Sequence, residues 1–503
     1  MHKTNTDILP HSQTTGYIQK TMEKKHETPL KKRPSARLSI LPLLVLMTML
    51  TFTIRAFGSD SLNGASQITL LAVSAFCVLI GMAYLHVPWA SFEKAITKNV
   101  ASVASALVIL LLIGALSGAW MLSGVVPTLI YYGIQIIHPD IFLASTCVIC
   151  AFVSVMTGSS WTTIATIGIA LMGIGRALGF SEGWIAGAII SGSYFGDKIS
   201  PLSETTTLAS GSIGVYLFDH IKYMVITTVP SIAVTVIIFL MAGFAFQTSG
   251  TQDIASFTSA LESRFCLSPW LLLVPAFTGL LIAKRIPPVI TLFASSLLAV
   301  VFGCMFQQEA LREIDPSLFK AAMKMLYGST SLTTGNSMLT DLVSTRGMAG
   351  MMGTIWLIVC AMCFGGTMAA SGFVGGITRL FIHLVRGRTS LVASTVATGV
   401  MLNVAIADQY LCILLTGNMF KDVYDRNGYE RRLLSRTTED SVTVTSVLVP
   451  WNTCGMTQST VLGVSTVTYL PYCFFNILSP LMSVAVAALG YRIFRKDNTA
   501  DND

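Results

Sequence analysis

Four carboxylates stand out because the residues around them are too apolar for a solvated surface. Asp197, Glu204, Asp408 and Asp440 each lie within or beside a long apolar stretch. A charge near the centre of a bilayer costs at least about 2.5 kcal/mol even on insertion scales. Residues retained at that cost usually serve function, so these four are the first candidates for cation and proton binding. Glu439 ranks lower, because its position is compatible with a membrane edge.

The competing explanation is structural, because a buried carboxylate can simply form an ion pair. Lys198 directly follows Asp197 and is the obvious partner. Such pairing is a realistic alternative for any one carboxylate. It does not account for all four, because the apolar stretches contain too few Lys and Arg residues to pair them.

Hydroxyl and amide side chains surround these carboxylates. Small hard cations prefer oxygen ligands, and interrupted helices expose further carbonyl oxygens. The candidate ligands beside the carboxylates are Ser200, Ser203, Thr205, Thr206, Thr443, Thr445, Asn452 and Thr453. The predicted hairpin tips contain Gly158, Ser159, Ser160 and Trp161 in the first and Gln409 in the second. A Ser or Thr in a membrane helix often bonds only its own backbone, and that alternative stays open for each hydroxyl.

The chemistry that this set of residues suits is exchange of a cation for a proton. A carboxylate removed from water holds a proton more firmly, and it binds either the proton or a cation. Exposing one such site to each side of a membrane in turn exchanges the two. The chain has no GxxxxGK[ST] phosphate-binding loop and no large soluble segment for a motor. We therefore expect a secondary transporter without a cofactor, rather than an enzyme or a channel.

The composition requires a membrane-embedded fold. Of the 503 residues, 53% are hydrophobic and only 11% are charged, and the mean hydropathy is +0.68. A soluble chain has roughly 25% charged residues, and a disordered chain is far less hydrophobic. The net charge of +7 does not predict nucleic-acid binding, because Lys and Arg lie at the chain ends and in short loops. The pairs Cys147/Cys150 and Cys360/Cys363 lie in apolar runs and are expected to be packing thiols.

Hydropathy and the distribution of Lys and Arg predict ten spans and two re-entrant hairpins. The predicted spans are 38–57, 68–85, 100–121, the interrupted span 184–206, 224–246, 267–283, 288–306, 349–370, the interrupted span 439–455, and 467–489. The predicted hairpin arms are 141–156 and 161–178 in the first hairpin, and 391–407 and 412–419 in the second. The segment 122–140, which has no Lys or Arg and one Asp, and the polar segments 247–266 and 307–348 are expected on the outer side.

The same order of elements occurs twice, with a span, a hairpin, an interrupted span and a span. With the two hairpins entering from opposite faces, this is an inverted-topology repeat, an architecture of secondary transporters. The predicted fold is therefore an all-α polytopic membrane protein with broken helices, in the cell membrane, with both termini cytoplasmic. The predicted divisions are a basic tail 1–37, N-terminal helices 38–99, a first repeat 100–246, connecting helices and an outer loop 247–348, a second repeat 349–491 and a tail 492–503.

Several of these segments resemble a known family. The segments 186–206, 435–440 and 450–455, together with the turns 158–161 and 407–410, closely resemble the motifs of NhaC-type Na⁺/H⁺ antiporters. The resemblance extends over about residues 68–490, and the motifs occur in the same order. It implies Na⁺/H⁺ exchange, with Na⁺ bound at the residues named above. Glu204 departs from the family pattern, which more usually has Asp there, so the cation preference at this position is open.

The resemblance leaves a second substrate class open, because the family also contains carriers that look like malate/lactate exchangers coupled to Na⁺ and H⁺. An organic anion needs a fixed cation or helix N-termini near the midplane. Lys198 and Arg176 are the candidate cations. The expected partners are Na⁺, H⁺ and the lipid bilayer, with small carboxylates under this alternative, a homodimer as one option, and no nucleic acid.

Overall fold

The chain folds into helices connected by turns and short loops. The computed structural model describes residues 34–57, 64–245, 251–332, 334, 339–340 and 343–495. Within these ranges no β-strand forms, apart from isolated bridges between Thr330 and Thr345 and between Tyr429 and Arg495. The tail predicted for 1–37 lies almost entirely outside the described residues, and so does most of 492–503.

The helices fall into two successive series. The first series is α1 (Ala36–Phe57), α2 (Ala65–Ala83), α3 (Trp89–Ser102), α4 (Ala104–Leu122), α5 (Val125–Ile136), α6 (Phe142–Thr157), α7 (Ser160–Thr163), α8 (Ile169–Ala177), α9 (Glu182–Ile199), α10 (Glu204–Ile213) and α11 (Leu217–Ala245). The connecting helices are α12 (Thr251–Arg264), α13 (Leu273–Ala283), α14 (Pro288–Phe306), α15 (Gln308–Ile314) and α16 (Leu318–Tyr327). The second series is α17 (Gly347–Ala370), α18 (Phe373–Ile382), α19 (Arg388–Ile406), α20 (Gln409–Arg426), α21 (Arg431–Thr438), α22 (Thr453–Leu462), α23 (Thr466–Tyr469) and α24 (Phe474–Leu489).

Many of these helices can cross a bilayer. In the described part of the chain, eight helical segments are long and apolar enough, namely α1, α2, α4, α6 with the preceding turn from Pro139, α11, α14, α17 and α19. Two bent pairs raise the number to as many as ten. These are Ala255–Arg264 with Pro269–Ala283, bent by 93°, and Thr466–Tyr472 with Phe474–Leu489, bent by 55°. The prediction of an all-α polytopic membrane fold is confirmed.

Several predicted boundaries are wrong. The segment 122–140, predicted as an outer connection, contains α5, and the loop predicted for 307–348 contains α15 and α16. The arm predicted to be short at 391–407 is the 19-residue helix α19. A hydropathy pattern identifies apolar runs that are long enough to span a bilayer. Helices of 7 to 12 residues between the spans are too short to be recognised in this way.

Both predicted hairpin tips are sharp turns between two helices. α6 ends at Gly158 and α19 ends at Ala407, which have positive φ values of 66° and 63°. In each tip the next residue, Ser159 or Asp408, is extended and its side chain accepts a hydrogen bond from the backbone N–H three residues later. The left-handed conformation is free of strain for glycine but costs about 1–2 kcal/mol at an alanine. Ala407 is therefore held in place by the contacts around it.

The turns of the two series recur at one fixed spacing. The matched left-handed turns are at 158 and 407, 179 and 428, and 214 and 463. The matched helix N-caps are at 159 and 408, 181 and 430, and 203 and 452. In every pair the two numbers differ by 249 residues, and α10 and α22 both contain ten residues. The two series are thus built from the same turns in the same order, whereas their opposite orientation in the membrane stays a prediction.

Small residues let the interrupted helix α9 lie directly against the hairpin arm α6. A Cβ on Gly192 would collide with the carbonyl oxygen of Cys147, and one on Gly196 with that of Ala151. Close backbone approach of this kind is typical of helix pairs in membranes. Cys147 and Cys150 are buried free thiols in this contact, and no group of metal-ligating side chains occurs among the described residues.

The predicted topology can be tested by labelling. We expect Gln308→Cys, in the outer segment, to react with an impermeant maleimide in intact cells. Arg426→Cys, at the end of α20, should react only after permeabilisation. Both positions are exposed in the structure, so accessibility within the fold does not distinguish them. The unmodified chain supplies the background, and labelling of position 426 but not 308 would contradict the orientation.

Candidate functional site

Asp197 is a buried carboxylate held between the first hairpin tip and the first helix break. One carboxylate oxygen, Oδ2, accepts hydrogen bonds from the backbone N–H and the hydroxyl of Ser160, at 3.2 and 2.7 Å. The other oxygen, Oδ1, accepts from the Ser203 hydroxyl at 2.6 Å. Only 5% of Asp197 is exposed. The carboxylate is therefore held by three hydrogen-bond donors. Lys198, its neighbour in the chain, points away and does not pair with it.

The break between α9 and α10 is stabilised by its own hydroxyls. Pro201 cannot continue a helix, so α9 ends at Ile199 and α10 begins three residues after the proline. The Ser200 hydroxyl donates to the carbonyl of Val155 on α6 at 2.8 Å. The Thr206 hydroxyl donates to the carbonyl of Lys198 at 3.0 Å. These bonds satisfy carbonyl groups in the last turns of α6 and α9, which have no partner within their own helices.

The second tip and the second break form a similar junction with different chemistry. Gln409 Oε1 accepts from the Ser446 hydroxyl at 3.0 Å and from the Cys454 thiol. Asn452 caps α22 and donates to the carbonyl of Asn403 at 3.2 Å. The fixed spacing of 249 residues pairs Gln409 with Ser160 and Ser446 with Asp197. The second junction thus has neutral groups where the first has a carboxylate.

One cavity of about 440 Å³ joins the two tips and the two breaks. The predicted site residues that line it are Gly158, Ser159, Trp161, Asp197, Glu204, Thr205, Asp408, Gln409 and Thr453. Asp408 is almost fully buried, whereas Glu204 is exposed. The Tyr410 hydroxyl donates to Glu204 Oε2 at 3.1 Å and so connects the second tip to the first break. Arg285 from the turn between α13 and α14 also lines the cavity.

This cavity is suited to a small hard cation. Its polar side chains near Asp197 offer oxygen atoms, and its carboxylates supply negative charge, which is the ligand chemistry that Na⁺ prefers. A serine hydroxyl has one donor and two acceptor positions. Ser160 and Ser203 can therefore donate to Asp197 and accept a cation at the same time. The volume exceeds that of one dehydrated ion, so a cation can enter with part of its water.

The remaining predicted residues lie around the cavity or away from it. The first break and the tip beside it are stabilised by hydrogen bonds from Ser160, Ser203, Ser200 and Thr206. The second break is stabilised by Asn452. Thr445 belongs to the second break as well, because its hydroxyl accepts from Asn403 Nδ2 at 3.0 Å.

The structure separates Asp440 and Thr443 from the cavity. Asp440 Oδ1 accepts from the Lys198 ammonium group and from the Thr227 hydroxyl. The alternative in which Lys198 neutralises Asp197 is therefore not realised. Of the four carboxylates, Asp440 is the one that pairs with buried cations among the described residues. Sequence adjacency misleads here because neighbouring residues on a helix point in directions about 100° apart. Arg176, the other predicted cation for an anion, is paired with Glu182 at 2.8 Å.

Three functional neighbours were missed from the sequence. Tyr410 and Cys454 directly follow the candidate site residues Gln409 and Thr453. A search for hydrogen-bond donors next to each candidate residue finds both of them. Asn403 lies in an otherwise apolar helical run, and a buried amide in such a run is itself a signal. Glu439 was placed at a membrane edge but is fully buried.

The comparisons with known proteins decide the family. The model of the Na⁺/H⁺ antiporter family matches residues 11–193 and 192–491. The chain belongs to the Na⁺/H⁺ antiporter family. It is 38% identical to the Na⁺/H⁺ antiporter NhaC of Alkalihalophilus pseudofirmus over 84% of this chain and 91% of that protein. It is 34% identical to NhaC of Bacillus subtilis over 79% of this chain and 87% of that protein.

A third relative is named for a different substrate. The malate-2H⁺/Na⁺-lactate antiporter of Bacillus subtilis is 33% identical over 85% of this chain and 91% of that protein. The family resemblance seen in the motifs is thus confirmed along most of the chain.

Substitution of Asp197 tests the site. We expect Asp197→Asn to reduce Na⁺-dependent dissipation of a pH gradient in proteoliposomes to the level of protein-free vesicles. The amide carries no charge and has no proton to exchange, but it still fits the space and accepts from Ser203. Glu182→Gln removes a carboxylate from the opposite end of the same helix and is the matched control. Exchange at the wild-type rate in Asp197→Asn would exclude the carboxylate, and aggregation of this variant alone would indicate a structural role.

Proposed function

We propose that the protein is a secondary transporter that exchanges Na⁺ for H⁺ across the cell membrane by alternating access, with both termini in the cytoplasm. The observation that carries this proposal is the environment of Asp197. The carboxylate is buried, has only hydroxyl and backbone donors as partners, and faces a cavity bounded by two hairpin tips. The family to which the chain belongs supports the same assignment.

Competition at Asp197 couples the two ions. In the unprotonated form, the carboxylate attracts Na⁺ into the cavity, and the oxygens of Ser160 and Ser203 complete part of the coordination shell. A proton on the same carboxylate removes its charge and weakens cation binding. Each time the site is open to one side of the membrane, a bound Na⁺ is therefore exchanged for a proton or a bound proton for Na⁺. Asp408 and Glu204 add negative charge to the cavity and raise its attraction for cations.

The arrangement of the two helical series supports alternating access. The first junction contributes Asp197, and the second contributes Asp408 and the neutral groups around Gln409, so the cavity is formed between them. In our proposal the two series are inverted repeats, approximately 100–246 and 349–491, and a relative movement of the tips opens the cavity to one side at a time.

A second candidate is exchange of a small organic anion together with Na⁺ and H⁺. Two observations favour it: the cavity has room for a molecule larger than an ion, and Arg285 lines it. Among the described residues Arg285 has no ion-pair partner. The malate-2H⁺/Na⁺-lactate antiporter, a relative of this chain, is named for exchange of this kind.

One experiment separates the two candidates. Purified protein in liposomes with an internal acid load receives Na⁺, Li⁺, K⁺, malate or lactate singly, and then Na⁺ together with malate or lactate, while a fluorescent dye reports internal pH. Na⁺/H⁺ exchange predicts alkalinisation by Na⁺ alone. Coupled organic exchange predicts a response only when Na⁺ and a carboxylate are present together on suitable sides. No response to any addition would contradict both.

Glu204 is expected to tune cation binding rather than to carry the exchanged proton. Glu204→Asp shortens the side chain by one methylene and breaks the hydrogen bond from Tyr410. We expect the apparent Na⁺ affinity to fall by about fivefold, as loss of roughly 1 kcal/mol predicts, with the maximal exchange rate retained. The measurement is exchange rate against Na⁺ and Li⁺ concentration at several pH values.

Tyr410→Phe is the matched control for this prediction, because it removes the same hydrogen bond and leaves the carboxylate in place. A similar fall in affinity for Tyr410→Phe and Glu204→Asp would indicate that the bond positions Glu204. Unchanged affinity and pH dependence in Glu204→Asp and Glu204→Gln would exclude Glu204 from the site.

A further inference from the structure

A second cluster of charged groups lies inside the protein, away from the cavity. Lys198, Arg436, Glu439 and Asp440 all have no exposed surface. The Lys198 ammonium group contacts Asp440 Oδ1, and Arg436 Nε lies 3.8 Å from Asp440 Oδ2. With two positive and two negative groups, the cluster has no net charge when all four are ionised.

One face of α11 closes the cluster. The Thr227 hydroxyl donates to Asp440 Oδ1 at 3.0 Å, and the ring of Tyr223 lies 4.5 Å from the Arg436 guanidinium. His220 Nδ1 is 2.8 Å from the Ser435 hydroxyl. On the other side, the Ser479 hydroxyl of α24 accepts from Lys198 at 2.9 Å.

Many polar atoms of this cluster have no hydrogen-bond partner in the part of the chain that the structure describes. The atoms are the three guanidinium nitrogens of Arg436, both carboxylate oxygens of Glu439, Asp440 Oδ2, the hydroxyls of Thr438 and Thr443, and His220 Nε2. Buried polar groups are nearly always paired, with protein or with ordered water. Both donors and acceptors are present, so the ligand that fits is a molecule that both donates and accepts hydrogen bonds.

We propose that ordered water occupies this cluster and carries protons between the protein surface near Arg432 and the Asp197 site. The inference rests on the proposed Na⁺/H⁺ exchange and gives the proton a route separate from the cation cavity. Arg432, Arg436 and Asp440 are four residues apart and share one helix face, and Arg432 is partly exposed. At the inner end Lys198 directly follows Asp197 at the end of α9.

The two ions use different chemistry in the two regions. Along the water chain each molecule accepts one proton from a neighbour and passes another onward, so only O–H bonds form and break. The proton that arrives at Asp197 replaces the cation there. Na⁺ does not follow this route, because a proton is relayed by exchange of O–H bonds, whereas Na⁺ would have to move as a whole ion past the buried Lys198 and Arg436.

The cluster has no counterpart in the first helical series. At the fixed spacing of 249 residues, Arg436, Glu439 and Asp440 correspond to Gly187, Ile190 and Ser191. The packing of the interrupted helix therefore does not require charges at these positions, since the matched helix has none. This asymmetry supports a task that only the second series performs.

The test removes hydroxyls that would bind the water while keeping the shape of the helix. Thr438→Val with Thr443→Val deletes two unpartnered hydroxyls. Thr437→Val is the matched control on the same helix, because the Thr437 hydroxyl already donates to the carbonyl of Leu433 at 2.8 Å. Each protein is assayed for ²²Na⁺/H⁺ exchange and for ²²Na⁺/Na⁺ exchange, which moves no proton.

We expect the double variant to lose about tenfold in ²²Na⁺/H⁺ exchange, because the waters lose bonding partners, while ²²Na⁺/Na⁺ exchange stays within about twofold of wild type. The control should resemble wild type in both assays. Equal rates in double variant and wild type, or an equal fall in both assays, would overturn the separate proton route. Wild-type protein without any Na⁺ flux would refute the proposed function instead.

The presence of water is tested independently of transport. Hydroxyl radicals generated by a short X-ray pulse label side chains beside bound water. We expect His220 to be labelled in wild type about tenfold faster than Tyr469, which is equally buried and whose hydroxyl is bonded to backbone carbonyls. Labelling of His220 as slow as that of Tyr469 would show that the cluster is dry and would overturn the proposal.

Discussion

A carboxylate in the interior of a membrane protein imposes the constraint from which the rest of the structure follows. Asp197 needs hydrogen-bond donors that an unbroken apolar helix cannot supply. The hairpin tip provides a backbone N–H and a hydroxyl from Ser160, and the helix break provides the hydroxyl of Ser203. Each of these irregular segments in turn requires caps and buried hydroxyls for its own free backbone groups. The polar groups around the first tip and the first break are therefore a consequence of placing this charge there.

Two helical series with the same turns have been given different chemistry. The first junction contains a carboxylate, and the second contains an amide, a hydroxyl and a thiol at equivalent places. Arg436, Glu439 and Asp440 of the charged cluster lie in the second series, and the matched positions of the first series are uncharged. A symmetric framework thus supplies matched geometry, while single side chains give the two junctions different charge and polarity.

The sequence contains most of the fold and the main part of the site, and the reasons are specific. Long apolar runs predict the bounds of α1, α14 and α17 to within two residues, because the bilayer demands length and apolarity together. Pro201 and Pro450 mark the two breaks, and the charges beside them identify Asp197. The polar ligands of Asp197 follow from their position in the same motifs.

Other features depend on distance in space and are hidden in the sequence. Lys198 is adjacent to Asp197 in the chain but pairs with Asp440, 242 residues away. The direction of a side chain is set by the helix, and the partner is set by packing. The hydrogen bond between Tyr410 and Glu204 likewise joins two series whose contact no local pattern reveals. Short helices such as α5 were missed because their apolar stretches are too brief to resemble a span.

The ion pair between Lys198 and Asp440 has a mechanical consequence. It ties the end of α9 to the middle of the interrupted helix in the other series, inside a region where separating two charges costs several kcal/mol. The two broken helices should therefore move together as one rigid unit where Lys198 and Asp440 pair. Any hinge must lie on either side of it, in the glycine and alanine turns of the hairpin tips. The ion pair thus holds the end of α9, and with it the carboxylate of Asp197, in a fixed position. The hairpin tips are then the parts that move relative to Asp197.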